Sequence, residues 1–191
     1  ESMNIINSNI GRKMYFNQYD SPLGVITLAA DGLHLTGLWF VGQKYYAESF
    51  SGDFSGHTDL PVFTTIRRWL DAYFAGRAPS LNTLPLNPYG SAFRLAVWQR
   101  LCQIPYGEYV TYGTVARDVA TALGKASMSA QATGGAVGHN PVSIIIPCHR
   151  VIGASNSLTG YAGGIARKIQ LLELEGVNTS NMVIPEAGTA L

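Results

Sequence analysis

Cysteine is scarce in this sequence, with two residues, Cys102 and Cys148, among 191. They stand in unrelated surroundings, without a CxxC pair or histidines at ligand spacing, which argues against a structural zinc site. Charge is scarce as well, at 13%, and nearly balanced at 13 basic to 12 acidic side chains. Taken whole, that balance does not suggest a nucleic-acid partner. No apolar run approaches the roughly 18 residues of a membrane span, so a transmembrane protein is not expected. Glu1 to Met3 lack a basic stretch followed by an apolar core and do not read as a secretion signal. The default expectation is a cytoplasmic protein, or a nuclear one in a eukaryote. What is abundant is hydrophobic content, 47%, enough for one compact domain or two small ones.

The charge is unevenly spread. Residues 1–90 hold six Lys or Arg and seven Asp or Glu, whereas residues 91–176 hold seven and four. The second half is therefore the anion-facing candidate, although three net charges also describe an ordinary basic surface. In the first half, residues 24–30 and 35–41 are rich in β-branched and aromatic residues and flank an Asp31-Gly32 turn, which predicts a small antiparallel sheet. Val62, Ile66, Trp69, Leu70 and Phe74 follow at helical spacing up to Gly76. The proline-rich stretch 78–90 reads as a linker, with a boundary near residue 88. Beyond it, Phe93, Val97, Trp98 and Leu101 predict a helix ending before Pro105, and a second helix follows over 112–123. A third, over 129–137, consists almost wholly of small residues. Helix, short turn, helix fits a DNA-binding helix-turn-helix, and equally an ordinary helical pair. The third helix lacks Arg and Lys for bidentate contacts to guanine, so it suits close approach to a minor groove better than sequence readout.

The chemistry concentrates near residue 148. Residues 142–146 are nearly all apolar and precede Pro147, which predicts a buried strand delivering Cys148. His149 and Arg150 follow at once, placing a nucleophile, a base and a cation in succession. Cys102, among Leu101, Ile104 and Trp98, reads as a small core residue. In an extended segment His149 would point away from the Cys148 sulfur unless a turn intervenes, so a bridging water is expected between them. A last helix over 164–175 places Glu175 between Leu171 and Leu172 on an inward arc at 100° per residue. There it either pairs with His149 or curls out to solvent. The run Leu158 to Gly164 is glycine-rich, either a close-approach loop or a surface loop, and lacks the Lys and Ser or Thr of a P-loop.

Pro147-Cys148-His149-Arg150-Val151 resembles the active-site signature of the O6-alkylguanine-DNA alkyltransferases, or methylated-DNA-protein-cysteine methyltransferases. Ser21-Pro22-Leu23-Gly24, Ile104-Pro105-Tyr106-Gly107 with Tyr112, Gly138 to Pro141 with Asn140, the Tyr161 loop and Leu172 to Gly176 match in order and approximate spacing. The resemblance spans about residues 15 to 176. It implies an α/β N-terminal domain with a small antiparallel sheet and linker over 1–87, a mostly α C-terminal domain over 88–177 with a winged-helix-like helix-turn-helix, and a tail over 178–191. It also implies single-turnover repair of double-stranded DNA, approached through the minor groove with the alkylguanine flipped out.

By position, the resemblance makes Cys148 the alkyl acceptor, His149 a base acting through water, and Glu175 its orienting partner. Asn140 braces the turn joining the DNA-binding helix to the active-site strand, and Tyr112 helps rotate the nucleotide and donates to the leaving guanine. Backbone carbonyls near Cys148 and Val151 read the guanine amino group, and Tyr161, Ala162 and Gly163 line the pocket. Ala130, Gln131, Thr133, Gly134 and Arg150 are the expected DNA contacts. Gln131 stands where many members carry an arginine that fills the gap left by the flipped nucleotide. Neither metal nor cofactor is implied, and a monomer is expected. Three rivals differ in chemistry: a cysteine hydrolase using Cys148, His149 and Glu175; a lesion-binding protein, whose relatives lack the cysteine; and a regulator switched by self-alkylation, which needs further domains.

Overall fold

A computed structural model describes residues 13–48 and 59–185. Glu1 to Met3 and the end of the expected tail, 186–191, lie outside the described residues. The first half builds a three-stranded antiparallel sheet in the order β1 (Tyr15–Ser21), β2 (Gly24–Ala30), β3 (Leu35–Phe40). Period-2 alternation gives the sheet two apolar faces. Ile26, Leu28, Leu38 and Phe40 turn toward α1 (Pro61–Phe74), while Phe16, Ala29 and Trp39 form a smaller cluster with Ala47 on the other side. Proline at the first position of α1 sets φ for the helix without losing a bonded amide. The inward stripe of α1 runs Val62, Ile66, Leu70 and Tyr73; Phe74, counted on it from the sequence, is only partly buried.

The second half is mostly helical: α2 (Ala92–Leu101), β4 (Val110–Thr111), α3 (Tyr112–Ala122), α4 (Ala130–Gly138), β5 (Val151–Ile152) and α5 (Ile165–Leu174). Ser91, Thr111 and Ser129 cap α2, α3 and α4 by accepting the backbone amides of Arg94, Thr114 and Ala132. Trp98 of α2 donates its indole N–H to the Ala136 carbonyl at 2.8 Å and so ties α4 down. The two-residue strands β4 and β5 pair in parallel, Val110 with Val151 and Thr111 with Ile152, joining the start of α3 to the residues after Cys148.

One apolar core runs through both halves, from Ile26 and Phe63 to Ile146 and Leu171. The edge of β3 carries the second half directly: the Leu38 amide bonds the Pro141 carbonyl at 2.8 Å, and the Ser143 amide bonds the Leu38 carbonyl at 2.9 Å. Among the described residues no helix is long and apolar enough to cross a membrane.

The strand expected over 142–146 is not formed. The segment is fully buried as expected, but only Val142 makes a β-bridge, to Leu38, and Ile144 adopts φ 69°. The Ile146 amide then bonds back to the Val142 carbonyl at 3.0 Å. The reason is Asn140, whose Oδ1 accepts the Val142 amide at 3.0 Å while its Nδ2 donates to the Ile146 carbonyl at 2.7 Å. A side chain that satisfies backbone groups on both sides of a turn competes successfully with a sheet ladder.

Candidate active site

Cys148 opens a single 3-10 turn, Cys148–Arg150, that folds directly out of the Asn140-braced loop. The same Asn140 Nδ2 that holds Ile146 lies 3.1 Å from Cys148 Sγ, so the residue shaping the loop also holds the nucleophile. Cys148 is buried at 4% exposure. Burial pushes its thiol pKa up, while the Asn140 amide, the Lys168 charge and the backbone N–H groups of Cys148 and His149 work in the opposite direction. Cys102, half-buried beside a cavity of about 150 Å³, has its thiol pushed up to about 11 by burial, with only Arg150 opposing. Of the two thiols, Cys148 alone has a hydrogen-bond donor and a cation arranged to favour a thiolate.

The turn at 148–150 brings His149 and Arg150 onto one carboxylate. Glu175 caps the C-terminal end of α5 and points inward. Its Oε1 lies 2.7 Å from His149 Nε2, and both side chains are fully shielded from solvent. A carboxylate only accepts, so Nε2 carries a proton, and in the neutral ring Nδ1 keeps its lone pair. Nδ1 has no hydrogen-bond partner among the described residues, which leaves it available as the base. Arg150 grips Glu175 with two bonds, Nε to Oε2 at 2.8 Å and Nη2 to Oε1 at 3.0 Å, and spends Nη1 on the Ile104 carbonyl at 2.6 Å.

The Gly107 amide adds a bond to Oε2 at 3.2 Å. Gly107 has φ +79°, and a Cβ there would sit 2.9 Å from the Glu175 carbonyl oxygen, so this turn requires glycine. Burial by itself works to raise the Glu175 pKa, yet the bonds and charges of His149 and Arg150 hold it down at about 2. His149 is pushed down by burial, with Glu175 opposing and Arg150 and Lys168 reinforcing. The site therefore holds a neutral imidazole beside a permanent carboxylate.

A second cluster lies near Cys148. Tyr112, the first residue of α3, donates its hydroxyl to the Gly160 carbonyl at 2.7 Å. Lys168 of α5 is wholly buried and donates to the carbonyls of Val151 at 2.6 Å and Thr159 at 2.9 Å, with Gly160 at 3.4 Å. Burial pushes Lys168 down to about 7, with Cys148 opposing. Three carbonyls match the three donors of an ammonium and offset part of that cost. The Tyr161 hydroxyl is buried with no partner among the described residues, and its ring stands edge-on to His149 at 6.5 Å. Gly163 lies under that ring, where a Cβ would come within 2.5 Å of Tyr161 Cε1. The first half braces this loop: the Lys44 amide bonds the Ala162 carbonyl at 3.0 Å, and Arg167 links the Leu23 and Gly163 carbonyls at 3.0 Å each.

The expected DNA contacts separate into two groups. Ala130 and Gln131 are exposed on the first turn of α4. Thr133 is at 0% exposure and Gly134 is also buried, so the Thr133 side chain faces the protein and cannot reach a groove. Arg150 is corrected in the same way. Its guanidinium is consumed inside by Glu175 and Ile104, because a cation following Cys148 in this turn lands beside a buried carboxylate that needs pairing. Two site residues escaped the sequence reading, Tyr73 and Lys168. Each carries a signal: Tyr73 continues the Ile66 and Leu70 stripe, and Lys168 stands three residues before Leu171 on the buried arc of α5. Among the described residues, no group of three or more His, Cys, Asp or Glu could hold a metal ion.

Known proteins resemble this chain over nearly the whole of its described length. Residues 14–88 match the family model for the ribonuclease-like domain of 6-O-methylguanine DNA methyltransferase, and residues 92–177 match that for its DNA-binding domain. The chain is 43% identical over 167 residues to the methylated-DNA-protein-cysteine methyltransferase of Mycobacterium tuberculosis, covering 85% of this chain and 92% of that protein. It is 38% identical over 164 residues to the Haemophilus influenzae protein of the same name, covering 86% and 87%. The crystal structure of M. tuberculosis O6-methylguanine methyltransferase superposes with a TM-score of 0.71 at 40% identity, covering 92% of this chain and 97% of that one. The crystal structure of M. tuberculosis OGT in complex with DNA gives 0.71 at 40% identity, covering 88% of this chain and 94% of that one. With both domain models matched in sequence, and a buried cysteine held beside a histidine-carboxylate pair, this chain belongs to the 6-O-methylguanine DNA methyltransferase family.

Proposed function

We propose that this chain repairs alkylated DNA by moving an alkyl group from guanine O6 onto Cys148, once per molecule. The observation that carries this reading is the placement of Cys148 Sγ 3.1 Å from Asn140, one residue before a buried imidazole anchored on Glu175 at 2.7 Å with its other nitrogen free. His149, through a water, takes the thiol proton. The sulfur then attacks the alkyl carbon in line, a C–S bond forms as the C–O bond breaks, and the departing guanine takes up a proton. The net change is thiol plus O6-alkylguanine to thioether plus guanine. A thioether does not hydrolyse, so the chemistry has no return step and needs neither metal nor cofactor.

The finer roles belong to the same reading. Tyr112 rotates the nucleotide and donates to the leaving base, and carbonyls near Cys148 and Val151 read the guanine amino group. The loop of Tyr161, Ala162 and Gly163 faces O6. α3 and α4 act as a helix-turn-helix, with Ala130 and Gln131 at the minor groove and the damaged base flipped out. The N-terminal part to about residue 87 supports a C-terminal part over 88–177 that binds DNA and reacts. The protein works as a monomer, in the cytoplasm or, in a eukaryote, the nucleus.

Incubation with a duplex containing one O6-methylguanine, followed by intact-mass and peptide analysis, tests the proposal. The expected result is one added methyl on Cys148 and loss of one lesion per protein molecule. Many lesions removed per molecule, or a methyl elsewhere, would overturn it. A duplex containing O4-methylthymine in the same assay decides whether that lesion is also a substrate.

A further inference from the structure

Glu175 receives more donors than anchoring His149 requires. Oε1 alone is approached by His149 Nε2 at 2.7 Å, by Arg150 Nη2 at 3.0 Å and by the Tyr73 hydroxyl at 2.7 Å. The first two come from the turn that holds Cys148. Tyr73 comes from α1 in the first half, 102 residues away in sequence. It is wholly buried, its ring stacked on Trp69 at 5.3 Å and edge-on to Tyr106 at 6.1 Å, which holds the hydroxyl at the carboxylate. The same oxygen lies 3.5 Å from His149 Nε2. Burial first, and the Glu175 charge second, hold the phenol protonated, which makes it a permanent donor.

We infer that Tyr73 is a positioning residue for the transfer reaction, supplied by the N-terminal half, which sets how strongly Glu175 can hold a protonated His149. The inference rests on the alkyl-transfer reading above. A carboxylate oxygen offers about two lone-pair directions, so three donors share its charge and each weakens its attraction for the others. With Tyr73 bonded, Oε1 orients the imidazole yet stabilises its protonated form less. His149 then stays neutral and able to take a proton to lower pH. The other titratable and charged groups facing the pair are Arg150, Lys168 of α5, Cys148, Tyr106 and Tyr161.

Tyr73→Phe keeps the ring and removes the donor. Single-turnover transfer from O6-methylguanine duplex, followed across pH, should show the acid limb moved to higher pH by about half to one unit, since His149 now protonates more readily. In a Glu175→Gln background the same substitution should add no shift, because the route through the carboxylate is gone. Site-specific 3-fluorotyrosine at position 73, a stronger donor, should move the limb to lower pH. A purely packing role for Tyr73 does not produce shifts of opposite sign.

An unshifted limb in Tyr73→Phe, or an equal shift with and without Glu175, overturns the inference. If Tyr73→Phe does not fold, the fluorotyrosine protein decides alone, and an unmoved limb there is the overturning result. No transfer by the unaltered chain would instead sink the alkyl-transfer reading itself, so the two failures are distinguishable.

Discussion

The buried Cys148 and the half-buried Cys102 differ in what surrounds the sulfur, and on the proposed reading that difference separates their roles. Cys148 has the Asn140 amide at 3.1 Å and Lys168 opposing the cost of burial, whereas Cys102 sits beside a cavity with its thiol pushed up to about 11. Cys148→Ser should abolish transfer while leaving duplex affinity nearly intact, since the exposed face of α4 is a separate part. Cys102→Ala should still accept the alkyl group, with some loss of stability from its cavity. Intact mass on both variants checks this, and a fully folded but inert Cys102→Ala would reverse the assignment.

Glu175 makes a second prediction at the same scale. Its carboxyl is held at about 2 in the folded state against an ordinary 4.5. A depressed acid stabilises the fold fully above its unfolded pKa and loses that contribution as pH falls through the folded one. Stability should therefore decline between about pH 4.5 and 2 by up to about 3 kcal/mol on this group's account. Glu175→Gln should flatten that part of the curve in denaturant melts. A curve of unchanged shape would show that the carboxyl titrates normally.

At the scale of elements, α4 presents its first turn outward and packs Thr133, Gly134, Ala136 and Val137 inside, with Gly135 and Gly138 half-buried and Trp98 tying its Ala136 carbonyl down. The surface it offers is thus small, uncharged and centred on Ala130 and Gln131. On the proposed reading Gln131 plugs the gap left by a flipped nucleotide without the charge or stacking plane of a guanidinium. Gln131→Arg should tighten duplex binding, steepen its salt dependence and leave transfer no slower. Gln131→Ala should weaken binding and slow transfer from duplex more than from free O6-benzylguanine, which needs no flipping. Equal slowing on both substrates in single-turnover assays would place Gln131 in the pocket or the fold instead.

The whole molecule behaves as one packed unit around the site. β3 bonds residues 141 and 143, α1 sends Tyr73 to Glu175, and Arg167 and Lys44 tie the 161–163 loop to the first half. A group added to Cys148, at 4% exposure, has to be packed into a buried site. Overpacking of this kind costs about 1 to 3 kcal/mol. The methylated protein should therefore melt at lower temperature than the unreacted one, and the benzylated protein lower still. Equal melting temperatures in calorimetry would mean that the pocket already accommodates the product.

Much of this was legible in the chain, and the remainder had a common cause. The β-branched content of 24–30, the helical spacing from Val62 to Leu70 and the inward angle of Glu175 are one-dimensional properties, because local preference and the period of a helix are written in the order of the residues. The run Pro147 to Val151, with the matching segments around it, established the chemistry by resemblance. The partner of a buried polar group is not a local property. It is settled by which groups desolvation brings together, and these lie 25 residues apart for Arg150 and Glu175 and 102 apart for Tyr73 and Glu175. Arg150 reads as a DNA contact until the fold sets a buried carboxylate beside it. Residues 142–146 read as a strand until Asn140 satisfies their backbone. Composition and periodicity indicated most of the elements and the resemblance pointed to Cys148, while only the tertiary structure decided the hydrogen-bond partners, because an unpaired charge in the core costs more than any local preference can recover.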